Sequence, residues 1–313
     1  MTQNLLAKND SIGVIATSSP AKADRFAAGC AVLEAQGFKL EVIGQPCVAY
    51  GTNEFLFASA PAHVRAANLM QLYVNKEIKA VIAARGAGGV IELLPLLNPQ
   101  IFKDNPKPFI GFSDSTALLV ALQSWGCPVV HGPHVESFTM AASEPETEQS
   151  AKTLTKLLLN GDSLVSAPLE PVLNPGDFSG VLTGGNLSVL AALCGTHWQL
   201  NAQGKILFIE DINENPHRVH RMLVQLRHSG VLAGLAGVCL GEFTKCDATL
   251  GKDGVAVGPS LLAVVQDALA PCSVPVYRGL PSGHIKANVA LPFFGMAKVI
   301  GGKISIAIST TVQ

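Results

Sequence analysis

Three residues of this chain have the types that perform acyl transfer together: Ser113, Glu210 and His284, each just after an apolar, strand-like run. Ser113 follows Pro108-Phe-Ile-Gly-Phe112 and precedes Asp-Ser-Thr-Ala-Leu-Leu-Val-Ala-Leu122, which reads as a short buried strand, a sharp break and an amphipathic helix. A serine at that break has an exposed hydroxyl beside the unpaired N–H groups of a first helical turn, and those donors can hold a negatively charged oxygen. Ser-Asp-Ser-Thr before an apolar run is equally a helix cap, and the same amides serve both readings. A serine hydroxyl is a poor nucleophile until a base takes its proton. A neutral imidazole does this near pH 7 and later returns the proton to the leaving amine. A carboxylate fixes the ring's tautomer and stabilises the imidazolium.

The acid candidate closes the run Ile206-Leu-Phe-Ile-Glu-Asp211. It is either a solvated strand end or the group that orients a histidine. The base candidate lies in Gly279-Leu-Pro-Ser-Gly-His-Ile285, a Gly/Pro loop after a strand, where functional histidines are found more often than on helix faces. The order Ser…Glu…His is that of the α/β-hydrolases, but their G-x-S-x-G elbow is replaced here by Gly111-Phe-Ser-Asp-Ser115. The Gly-rich turn Ala83-Ala-Arg-Gly-Ala-Gly-Gly-Val90 matches neither dinucleotide nor Walker fingerprints. Its backbone can approach a ligand closely, which makes this turn a candidate source of a second oxyanion donor beside the Asp114 amide.

The elements that must position these groups alternate in type. Strands are expected at 11–16, 38–43, 80–84, 109–112 and 128–131, with helices at 21–36, 61–75, 89–97 and 114–125 between them. This βαβα pattern predicts an α/β amino-terminal domain, a flavodoxin- or Rossmann-like parallel sheet with helices on both faces and its crevice at the carboxyl ends of the strands. Residues 161–177, rich in Pro, Gly, Ser and acidic side chains, read as a linker. Residues 178–313 read as a mixed α+β domain, with helices at 217–228 and 260–269 and a tail hairpin turning at Gly301-Gly302. The nucleophile thus falls in a domain spanning 1–160, and the acid and base in the second.

Composition narrows the class. With 313 residues, 48% hydrophobic and 14% charged, the chain can bury a large core. A net charge of −1 with no basic run gives nucleic acid no electrostatic footing. No signal-peptide pattern opens the sequence, and no apolar run is long enough to span a bilayer, which points to a cytoplasmic protein without a membrane partner. The seven cysteines are scattered, without C-x-x-C or zinc spacing, and read as reduced and structural. His217 and His220 lack an H-E-x-x-H context, so no metal is assigned. His131 and His134 end a strand beside the expected crevice, and His131 is a candidate substrate contact. Arg85 suits a bidentate contact to a substrate carboxylate or a structural salt bridge. Asn186, opening a helix after Gly184-Gly185, is a cap or a substrate contact.

Taken in order, Arg85-Gly86, Ile110-Gly-Phe-Ser-Asp-Ser-Thr-Ala-Leu-Leu119, Gly184-Gly-Asn-Leu187, Ile209-Glu-Asp-Ile-Asn-Glu-Asn-Pro-His-Arg-Val-His-Arg-Met-Leu223 and Gly283-His284 resemble the LD-carboxypeptidases. These are serine peptidases of the muramoyltetrapeptide carboxypeptidase type, which include the microcin C self-immunity peptidases. The resemblance spans nearly the whole chain. It implies a triad of Ser113, Glu210 and His284, with the amides of Asp114 and Gly86 as oxyanion hole. It also implies a two-domain homodimer without cofactor or metal. The implied reaction releases D-alanine from a murein tetrapeptide at the bond following an L-centre, in cytoplasmic peptidoglycan recycling. One departure stands out: the family commonly has Arg-Gly-Gly-Tyr-Gly where this chain has Arg85-Gly-Ala-Gly-Gly89. The rival readings are a microcin-immunity-type peptidase cutting a peptidyl-nucleotide amide, for which two Trp and three Tyr offer little base stacking, and a non-catalytic small-ligand binder on a Rossmann-like scaffold.

Overall fold

A computed structural model describes residues 5–50, 58–139, 144–160, 166–250 and 256–308. In chain order the elements are β1 (Ser11–Ile15), α1 (Ala23–Ala35), β2 (Lys39–Ile43), α2 (Ala62–Val74), β3 (Ile78–Ala83), α3 (Pro99–Asp104), β4 (Phe109–Gly111), α4 (Thr116–Ser124), β5 (Val129–His131) and α5 (Pro145–Asn160). There follow β6 (Ser166–Pro168), β7 (Glu170–Leu173), β8 (Phe178–Asn186), α6 (Leu187–Leu193), β9 (Ile206–Ile212), α7 (Pro216–His228) and β10 (Gly237–Thr244). The short strands β11 (Thr249–Leu250) and β12 (Ala256–Val257), then α8 (Leu261–Leu269), β13 (Val276–Gly283), β14 (Leu291–Pro292), β15 (Gly295–Ile300) and β16 (Lys303–Ile308) complete the chain. It divides into two compact units: residues 1–164 with 286–294 and 307–313, and residues 165–285 with 295–306.

The first unit holds a sheet ordered β14-β5-β4-β3-β1-β2. All its pairings are parallel except that of β14, which runs antiparallel to β5. Strand periodicity sorts the side chains onto two faces. Ile12, Val14, Ala80, Ile82, Ile110 and Val130 join Leu33 of α1 and Leu154, Leu157 and Leu158 of α5 in one core. On the other face Gly13 meets Leu72 of α2, whose Cδ2 would lie 2.8 Å from a Cβ at that position. Helices therefore cover both faces, which is why the strands are near-continuous apolar runs. The second unit holds a mixed sheet ordered β6-β16-β15-β8-β9-β10-β13-β7. Its centre, β8-β9-β10-β13, is parallel, and β7 and β15 pair antiparallel to β13 and β8.

Four expectations need correction. The stretch expected to be a linker is partly sheet: β6 and β7 form its two edges, positions that tolerate Pro168 and Pro171 because no neighbour requires their missing N–H. The second domain is also not continuous, since residues 286–294 return to the first unit and β14 extends its sheet. The segment expected as a helix over 89–97 is a 3₁₀ turn, Ile91–Leu96, with Pro95 inside it, where proline blocks an α-helical ladder. In the second unit β13 runs on to Gly283 through the segment expected to be a loop. Between Leu240↔Arg278 and Glu242↔Gly283 its register with β10 slips, and the extra residues absorb Pro281 and Gly279.

Candidate active site

In the first unit, the carboxyl ends of β3 and β4 carry the residues around Ser113. A 3₁₀ turn, Ser113–Ser115, links β4 to α4 and is closed by a Ser115 N–H bond to the Phe112 carbonyl of 3.0 Å. Ser113 has φ of +57°, a left-handed conformation that costs an L-residue about 1–2 kcal/mol. Such strain is characteristic of functional turns. α4 is buried over Thr116–Leu122, so the turn stands on a fixed base. Gly86 approaches from the loop after β3: a Cβ there would lie 3.2 Å from Ser113 Oγ, 3.1 Å from Ser113 Cβ and 2.9 Å from His134 Cε1. Only glycine brings its backbone so near the serine.

The surroundings of this turn are polar and mostly buried. The Asp114 carboxylate accepts the Val90 N–H at 3.0 Å. Burial pushes its pKa up, against the Ser18 hydroxyl, the Val90 amide and the Arg65 guanidinium, which pull it down. His134 stacks on Phe112, with ring centroids 4.4 Å apart, and its Nε2 lies 3.0 Å from the Phe112 carbonyl. His131 is buried, edge-on to Phe112 and stacked on Phe293. Arg85 donates from Nη1 to the Pro20 carbonyl at 2.9 Å, and its Nε lies 3.4 Å from Glu136 Oε2. Arg85 is thus anchored by a backbone bond and an ion pair, with its side chain still 36% exposed.

In the second unit, parallel register places Asn186 opposite Glu210 at the carboxyl ends of β8 and β9. Glu210 is fully buried. Its Oε2 lies 2.7 Å from His284 Nδ1, and its Oε1 accepts from Asn186 Nδ2 at 3.3 Å. A buried carboxylate at this distance is a charge-assisted acceptor that holds the proton on Nδ1 and so makes Nε2 the basic nitrogen. Asn186 Nδ2 also donates to Asp211 Oδ1 at 2.9 Å, while its own Oδ1 caps α6 through the Val189 N–H at 3.3 Å. The Asn186 cap is thereby also the brace of two carboxylates. Asp211 takes further bonds from the Ser188 and Ile212 amides, and its pKa is raised, chiefly by burial. Gly283, with φ of +129°, leaves the space that a Cβ would take 2.9 Å from Glu210 Oε2.

The motif-bearing residues are thus grouped within their units. Ser113, Asp114 and Gly86 meet in the first, and Glu210, His284 and Asn186 in the second. His220, on α7, pairs with Asp267 at 2.9 Å. Among the described residues no group of three or more His, Cys, Asp and Glu side chains is placed to hold a metal ion, and no helix is long and apolar enough to cross a membrane. All seven cysteines are free, and burial pushes the thiols of Cys127 and Cys239 up to about 12.

The LD-carboxypeptidase N-terminal domain profile matches residues 12–132, and the C-terminal domain profile residues 179–299. The chain belongs to the LD-carboxypeptidase family. It is a serine-type hydrolase of that family. Among its relatives, the murein tetrapeptide carboxypeptidase of Pseudomonas aeruginosa is 33% identical over 261 residues, covering 80% of this chain and 81% of that one. The crystal structure of muramoyltetrapeptide carboxypeptidase from Oxalobacter formigenes superposes with a TM-score of 0.80 at 30% identity, over 96% of this chain and all (100%) of that one. The microcin C7 self immunity protein, at 23% identity and a TM-score of 0.81 over 99% of each chain, shares the fold.

His134, read with His131 beside the expected crevice, is the ring behind Gly86 and Phe112. One buried residue near these sites was missed. Arg65 was not singled out, although it falls on the same face of α2 as buried Leu69 and Leu72, at i, i+4 and i+7.

Proposed function

We propose that this chain is a murein tetrapeptide carboxypeptidase in which Ser113, Glu210 and His284 act as nucleophile, orienting acid and base. The observation that carries the reading is the 2.7 Å contact between His284 Nδ1 and fully buried Glu210, an arrangement suited to a general base. His284 Nε2 takes the Ser113 proton as Oγ attacks the carbonyl that precedes the terminal D-alanine. The amides of Asp114 and Gly86 receive the oxyanion. His284 then protonates the departing D-alanine nitrogen, and water, deprotonated by the same ring, hydrolyses the acyl-enzyme to free the tripeptide. The exposed edge of Arg85 receives the D-alanine carboxylate. No metal or cofactor takes part in this scheme. The enzyme acts as a homodimer on recycled muropeptides in the cytoplasm.

The test is release of free D-alanine from murein tetrapeptide, followed by mass spectrometry, for the wild type and Ser113→Ala. The wild type releases it and the variant does not. Equal release by both refutes the nucleophile, and none from the wild type refutes the substrate.

A further inference from the structure

Arg65 is 1% exposed, and no step above uses it. Its Nη1 donates to the Thr17 carbonyl and, at 2.9 Å, to that of Gly89. Its Nε donates to the Ala60 carbonyl at 2.8 Å, and Nη2 to Glu92 at 3.1 Å. The Glu92 side chain is 65% exposed, and an ion pair to so exposed a partner returns little of the cost of burying a guanidinium. What the fork does instead is fix backbone. Its carbonyl partners belong to the segment after β1, the segment before α2 and the loop after β3.

The loop after β3 carries Gly86, against Ser113. It is gripped a second time by the Asp114 carboxylate, which takes the Val90 N–H. Its own backbone does not favour the conformation: Ala87 has φ of +93° and Gly89 of +106°. A left-handed alanine persists only where its surroundings impose it, and Arg65 and Asp114 hold the two residues that close the turn after it, Gly89 and Val90.

We propose that Arg65 and the Asp114 carboxylate are positioning residues for the oxyanion hole, locking residues 86–90 against the Ser113 turn. The proposal rests on the reading of Ser113 as nucleophile. Oxyanion donors act by being fixed before charge develops. A loosened loop therefore weakens the transition state and leaves the ground-state complex nearly unchanged, so kcat falls while KM stays.

The test compares Asp114→Ala, Asp114→Asn and Arg65→Lys with the wild type in steady-state D-alanine release. Circular dichroism confirms that each is folded, and Ser113→Ala serves as control. Asp114→Ala loses the acceptor, and its kcat drops about 10- to 100-fold with KM within about threefold. Asp114→Asn keeps an oxygen for the Val90 N–H and recovers most of that loss. Arg65→Lys keeps the charge without the fork and drops kcat in the same sense; the Asp114 pair decides the matter if it does not fold. Wild-type kcat in Asp114→Ala, or equal losses in the alanine and asparagine variants, overturns the proposal while the nucleophile stands. Wild-type turnover by Ser113→Ala overturns the nucleophile and the proposal with it.

Discussion

Replacing Glu210 with glutamine changes one oxygen for an amide nitrogen, and the two orientations of that amide can be costed from the second unit alone. With the nitrogen toward His284, the ring must accept at Nδ1, its proton moves to Nε2, and the base is lost. With the nitrogen toward Asn186, it meets Asn186 Nδ2, which now donates to Oε1 at 3.3 Å. Asn186 cannot turn to oblige, because its Oδ1 accepts from Ser188 Oγ at 2.7 Å and from the Val189 N–H. That buried donor-to-donor contact costs about 1–3 kcal/mol. The active orientation also loses the carboxylate facing the imidazolium, worth about 1–2 kcal/mol more as the difference between a charged and a neutral hydrogen bond. The sum, about 2–5 kcal/mol, is a fall in kcat of about 30- to 5,000-fold. D-alanine release measures it, and ¹⁵N shifts of the His284 ring report the tautomer, with Nε2–H gaining population in the variant. A folded Glu210→Gln enzyme with kcat within about threefold of wild type refutes the orienting role of Glu210.

Two further perturbations test the supports. Gly283→Ala puts a Cβ 2.9 Å from Glu210 Oε2 and 3.2 Å from the Glu242 carbonyl at φ of +129°. Backbone strain and overpacking together cost about 2–5 kcal/mol in urea unfolding, and a loss below about 1 kcal/mol would show that the strand yields. The Asp114 carboxyl has its pKa raised above the ordinary 3.8, mainly by burial. The folded protein therefore keeps a proton that the unfolded chain loses first, and stability falls as pH rises from about 4 through the raised value. Asp114→Asn lacks this penalty, so the wild type loses stability relative to the variant across that window. A gap that widens in favour of the wild type with rising pH contradicts it.

The parts of the fold legible in the sequence are those governed by local pattern. The apolar runs that become β1 and β4 and the start of α7, where Asn215 caps and Pro216 follows, carry their signals in adjacent residues. What was not legible depends on pairing across long separations. Asn186 braces Glu210 because β8 and β9 lie in one register, and nothing near Asn186 announces that neighbour. Pro168 and Pro171 suggest a linker until the sheet order puts them on edges. The left-handed Ser113 and Ala87 are equally silent, since a non-glycine residue there is held by contacts its own type does not predict.

Those strained positions share a location. Ser113 follows β4, and Ala87 lies in the loop after β3. A parallel sheet aims the carboxyl ends of its strands the same way, so turns that leave adjacent strands must bend sharply to present backbone amides there. A glycine at 87 would accept φ of +93° without strain. It would also widen the range of conformations open to the loop. Alanine narrows that range but disfavours the one observed by about 1–2 kcal/mol. Its presence is tolerable only if other groups hold the loop more firmly than that penalty pushes it away. The Arg65 bond to Gly89 and the Asp114 bond to Val90 both hold the segment just after the Ala87 distortion, one from α2 and one from the Ser113 turn. On the proposal above, the Gly86 amide is fixed by side chains outside the loop, and substitutions there test it better than changes to the glycines themselves.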